Sequence, residues 1–145
     1  MDQEAVAALG LATIGAFVVM VLLVVLAINV VVCALLYGCL KRVPAEHRKL
    51  DAGLVWLLLI PCFNAVWNFF VFPRLAQSYQ SYFRAAGRND LGDCGAGFGW
   101  AYAGCILGAH LPLPFVPFGV GFAALILLIL FLVKALQLKN LIPAA

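Results

Sequence analysis

The chain has 145 residues, of which 66% are hydrophobic and 10% charged, with a formal net charge of +3. A soluble domain carries roughly 25% charged residues, so there is too little polar surface here to coat a water-soluble globule. Lipid can solvate the excess apolar side chains, and the composition predicts one membrane domain over residues 1–145, all-α, with the apolar core of a larger soluble assembly as the alternative. No basic run is interleaved with aromatic residues, which argues against a nucleic-acid partner.

The first apolar segment, residues 5–40, contains only Thr13 and Asn29 as polar interruptions. As a single helix it is about 54 Å long at 1.5 Å per residue, against a hydrocarbon core of about 30 Å. It is expected to tilt steeply or to extend beyond the membrane over residues 5–14, with Gly10 and Gly15 as bend points. Asp2 and Glu4 precede it where a signal peptide would carry a positive charge, so the segment is expected to be retained. The connection that follows holds Lys41, Arg42, Arg48 and Lys49 around Pro44 and reads as a cytoplasmic loop.

Residues 53–72 form a second apolar segment interrupted by Pro61 and Asn64. It is either a proline-kinked span or a re-entrant hairpin that turns back at Pro61–Asn64, an arrangement tolerated where protein covers the broken backbone. From 73 to 87 the pattern becomes amphipathic. Leu75, Tyr79, Tyr82, Phe83 and Ala86 recur at helical spacing opposite Arg74, Gln77, Ser78, Ser81, Arg84 and Arg88, which predicts a helix lying at the membrane surface, or a cytoplasmic continuation of the preceding helix packed on protein. A polar loop over 88–93 leads to a third apolar segment, 95–111. There Gly95 and Gly99, then Gly104 and Gly108, form small-residue pairs that favour close helix approach. Pro112, Pro114 and Pro117 make an uncharged turn before the last segment, 118–138, whose end carries Lys134 and Gln137 and is followed by Lys139.

The cations arbitrate between topologies. Four full spans with the N-terminus outside leave Lys41, Arg42, Arg48 and Lys49 in the cytoplasm, but Arg74, Arg84, Arg88, Lys134 and Lys139 outside. Three spans plus a re-entrant 53–72 place all of them inside, together with the C-terminus, and the positive-inside rule favours this arrangement.

No carboxylate lies mid-segment, which argues against proton pumps, ion-coupled carriers and intramembrane aspartyl proteases. Ser78 and Ser81 sit on the polar side of the 73–87 helix, so a serine hydrolase is not expected, and no catalytic residue is assigned. The five cysteines include no CxxC and no Cys/His cluster, and no metal site is expected. His110, the one histidine in an apolar stretch, is the sole candidate ligand for haem or chlorophyll, although an interfacial histidine at a helix end is the plainer reading and no cofactor is expected. Asn64 and Asn68 share a helical face beside Pro61. They are expected to close the turn and bond Asn29, or else to meet a ligand or another subunit.

The run Leu59-Ile60-Pro61-Cys62-Phe63-Asn64-Ala65-Val66-Trp67, followed by Arg74-Leu75-Ala76 and Ser78, resembles an LIPxFNxxW core and RLxxS helix of small multi-pass bacterial membrane proteins of uncharacterised activity. The resemblance covers roughly residues 44–139. It implies a bacterial cytoplasmic-membrane location and supplies no activity, and the proline cluster at 112–117 departs from its pattern. A non-enzymatic membrane subunit or scaffold packing against other membrane chains, or against copies of itself, is therefore the leading expectation. A minimal oligomeric channel or carrier lined by Asn64 and Asn68, and a pigment- or haem-binding subunit using His110, are the alternatives.

Overall fold

The computed structural model describes residues 2–110 and 116–143, the side chains of 116–118 excepted. The described residues are helical and contain no strand: α1 (Gln3–Arg42), a 3-10 helix (Ala52–Leu59), α2 (Pro61–Ala85), α3 (Ala96–Ala109) and α4 (Val116–Asn140). Two helical stretches, Gln3–Arg42 and Gly119–Asn140, are long and apolar enough to cross a membrane, while Ala96–Ala109 is apolar but shorter. The chain divides between Val32 and Cys33 into two compact units through which α1 runs, and each is described by itself.

In the first unit the helix is unbroken, including at Gly10 and Gly15, so neither glycine bends it out of the α conformation. Its two mid-chain polar side chains are satisfied locally. The Thr13 hydroxyl donates to the Leu9 and Gly10 carbonyls at 3.0 and 2.9 Å, and the Asn29 amide donates to the Val25 carbonyl at 2.8 Å. Asn29 thus bonds its own preceding turn. This local bond removes a polar demand from an otherwise apolar surface.

The second unit begins with the last turns of α1, where Cys33, Leu36, Cys39 and Leu40 are buried at helical spacing. Lys41 and Arg42 in the final turn complement the negative end of the helix dipole. The Arg48 guanidinium folds back onto the freed carbonyls of Val43 and Lys41, at 2.9 and 3.4 Å, and caps the helix beside Pro44.

The chain then runs antiparallel to α2. Lys49 N–H donates to Ser78 Oγ, Trp67 Nε1 to the Leu54 carbonyl and Asn64 Nδ2 to the Leu58 carbonyl, so the 3-10 helix lies back along the first half of α2. The reversal occurs at Ile60, which is extended (φ −81°, ψ 110°) because the following proline disfavours helical backbone before it. Pro61 occupies the first turn of α2, where its missing N–H costs nothing.

In two stretches the structure takes one of the alternatives the sequence left open. The 53–72 segment is two helices meeting at Ile60–Pro61, and the 73–87 helix is a continuation of the preceding one, because α2 runs through Pro73 to Ala85. The aromatic stripe also faces protein. Leu75, Tyr79 and Phe83 are buried, and Tyr79 is wholly enclosed. A periodic stripe looks the same in sequence whether lipid or a packed neighbour covers it.

Helix α3 runs antiparallel to both α2 and α4. Gly99 lies against Phe72 and Phe131, Gly95 against Lys134, and Gly108 nearest Val120. Phe72 is the hub, edge-on to Tyr102 and to Phe131 with ring centroids 4.6 and 5.0 Å apart. The C-terminal ends of α1 and α4 adjoin, since Arg42 Nε donates to the Ile142 carbonyl at 3.2 Å. The Tyr79 hydroxyl donates to the Ala135 carbonyl at 3.1 Å and ties α2 to α4. The proline turn over 111–115 lies outside the described residues.

Candidate functional site

The polar residues around Pro61 form a closed network. Asn64 Nδ2 serves the Leu58 carbonyl at 2.6 Å, and Asn68 Nδ2 donates to Asn64 Oδ1 at 2.6 Å and to the Asn64 carbonyl at 2.8 Å. The Trp67 indole and the Cys33 thiol reach two more carbonyls of the 3-10 helix, those of Leu54 and Val55. These side chains therefore substitute for backbone bonds that a turned chain cannot make for itself. Their donors are directed inward at that turn.

Of the small residues of α3, Gly99 makes the close approach. A Cβ there would stand 3.1 Å from Phe72 Cβ and 3.2 Å from both the Phe72 carbonyl carbon and Phe131 Cε2. Gly104, expected at a packed position, has nothing within 4 Å, and Gly108 only Val120 at 3.8 Å. His110 is exposed, and its Nδ1 lies 2.7 Å from the Ile106 carbonyl, within its own helix. Among the described residues no three His, Cys, Asp or Glu side chains gather as a metal site, and all five cysteines are free.

Polar chemistry gathers at one end of the second unit, where the connection after α1, the last turns of α2, the loop before α3 and the end of α4 meet. His47 Nδ1 lies 3.2 Å from Ser81 Oγ and its Nε2 lies 3.6 Å from Glu46, while the imidazole stands edge-on to Tyr82. Beside this pair is an open groove of about 380 Å³ lined by Lys49, Gln77, Gln80, Ser81 and Arg84. Gln80 and Arg84 also wall a second depression of about 320 Å³, which Arg88 and the 89–94 loop complete.

That loop is held by Asp93. Its carboxylate accepts from Gly97 N–H at 2.8 Å and Gly95 N–H at 3.1 Å, and its carbonyl accepts from Gln80 Nε2 at 2.7 Å. The two backbone donors, Gly97 first, hold the Asp93 carboxyl below the usual carboxylate range. Cys94 and Gly95 follow with positive φ of 51° and 87°, so the entrance to α3 is a left-handed corner, strained at Cys94.

The sequence reading missed the His47–Ser81 pair and the groove. Their members lie 34 residues apart, and the only signal available was that Gln77, Ser81 and Arg84 share one helical face. No protein-family model matches the chain, and neither a curated protein nor a solved structure is significantly similar to it.

Proposed function

We propose that the protein is a non-enzymatic integral membrane subunit with three crossings, made by α1, α3 and α4, and one re-entrant hairpin made by the 3-10 helix and the first half of α2. The N-terminus is outside and the polar end of the second unit is cytoplasmic. The observation that carries this reading is the Arg42 to Ile142 hydrogen bond. It puts the ends of the first and last apolar helices side by side, whereas four full crossings would leave them on opposite faces of a bilayer.

Two further observations support it. Just past Pro73 in α2, Arg74 reaches toward the Lys49 carbonyl, so the second arm of the hairpin returns to the connection that follows α1. Three more cations of the unit lie near the same end: Arg48 at the end of α1, Lys139 beside Gly38, and Lys134 beside Gly95. That distribution follows the positive-inside rule.

The subunit role rests on α1. Its 40 residues extend about 60 Å, twice the hydrocarbon thickness, with exposed Val, Leu, Ile and Phe along most of its length. Apolar surface outside lipid calls for another chain to cover it. The Asn64 and Asn68 amide donors are engaged at the turn, which disfavours a pore lined by them.

Purification in mild detergent followed by mass spectrometry tests the role. A stoichiometric membrane partner or a defined homo-oligomer is expected, and a bare monomer that brings nothing with it would overturn it. Labelling of a cysteine at position 84, in a chain otherwise freed of cysteine, tests the topology: reaction from the cytoplasmic side is expected, and reaction only from outside refutes three crossings.

A further inference from the structure

We propose that the groove lined by Lys49, Gln77, Gln80, Ser81 and Arg84 binds a phosphate group, carried either by an anionic lipid at the membrane surface or by a small soluble phosphate compound. The groove, about 380 Å³, is large enough for a phosphate ester head group and is lined by no carboxylate. Among the described residues, ion pairs are confined to Glu46 with His47 and Arg88 with Asp90. Lys49 and Arg84 are exposed and enter neither pair.

Arg84 offers a planar fork suited to two phosphate oxygens, and Lys49 offers a mobile point charge from the facing chain. Gln77 contributes amide hydrogens. With both ring nitrogens protonated, as an ion pair with Glu46 requires, His47 Nδ1 donates to Ser81 Oγ and leaves the hydroxyl hydrogen free to reach a phosphate oxygen. The groove follows the last turns of α2, whose carbonyl end carries about half a negative charge, and two full positive charges outweigh it. Basic recesses among membrane helices on the cytoplasmic side are suited to anionic head groups.

This inference goes beyond the membrane-subunit reading, and only its lipid arm rests on it. The test uses the full chain in mild nonionic detergent. Native mass spectrometry with equimolar phosphatidylglycerol and phosphatidylcholine of matched acyl chains reads the lipid arm, and 31P line broadening of inorganic phosphate reads the soluble arm. The comparison is between wild type, K49Q/R84Q, and K41Q/K139Q, which removes the same charge elsewhere.

Preferential retention of phosphatidylglycerol, weakened about tenfold or more in K49Q/R84Q and much less in K41Q/K139Q, establishes a lipid head-group site. Phosphate broadening with the same variant pattern, and no lipid preference, establishes a soluble ligand. Equal effects of the two double variants, or no preference in either arm, overturn the proposal. If position 84 is still labelled from the cytoplasm in that case, the membrane reading survives it.

Discussion

Alanine at Gly99 and alanine at Gly104 should act in opposite directions, although both replace a glycine in the interior of α3 with the same small residue. Each gains up to about 1 kcal/mol of helix propensity. At Gly104 nothing lies within 4 Å, so that gain stands alone and the variant is neutral or slightly stabilised. At Gly99 the new methyl meets Phe72 Cβ at 3.1 Å and the Phe72 carbonyl carbon and Phe131 Cε2 at 3.2 Å. The Phe131 ring can turn aside, but the Phe72 backbone cannot move without shifting α2. Overpacking of this kind costs about 1–3 kcal/mol, and that is the expected gap between the two variants. For a chain of this size the gap corresponds to roughly 2–12 °C in melting temperature, at about 2–4 °C per kcal/mol. Thermal unfolding followed by circular dichroism in one fixed detergent reads it directly. If Gly99→Ala melts as high as Gly104→Ala, the close α2–α3 contact described here is wrong.

Asn64→Ala removes the donor to the Leu58 carbonyl and one acceptor for Asn68, so it should cost about 1–3 kcal/mol; faster amide exchange confined to residues 52–68 would be the signature, and unchanged exchange there would refute the turn network. Tyr79→Phe loses a buried hydroxyl bond to the Ala135 carbonyl and should lower stability by about 0.5–1.5 kcal/mol, whereas Tyr82→Phe in the same thermal assay should leave it nearly unchanged. Asp93 provides a pH dependence. Its folded carboxyl titrates below its unfolded range, chiefly through the Gly97 and Gly95 amides, so its stabilisation is complete above the unfolded value and is lost as pH falls through the lowered one. Asp93→Asn should therefore flatten the acid limb of the stability curve, and an unaltered acid limb would show that the carboxylate does not hold the entrance to α3.

The sequence alone determined that the chain is helical and apolar, because excess hydrophobic residues with scarce charge admit few other solutions and because each helix is a local structure readable from its own residues. The break near Pro61 was equally legible, since proline restricts the residue before it whatever surrounds the chain. A turn back at Pro61 was one of two readings, favoured by the placement of the cations, and whether the next helix was separate was left open. Ile60 turns the chain back, and α2 runs on through Pro73, because Asn64, Trp67 and Ser78 meet groups 6, 13 and 29 residues away. Side-chain identity does not reveal such partners in advance. The small-residue pattern named four glycines, Gly95 at the start of α3 and three within it, but could not distinguish Gly99, pressed on Phe72 and Phe131, from Gly104, which faces open space. A glycine becomes a contact only when a second helix arrives. The polar end required the most from tertiary structure, for His47 and Ser81, Arg42 and Ile142, and Lys49 and Arg84 become neighbours only after the hairpin closes and α3 reverses the chain.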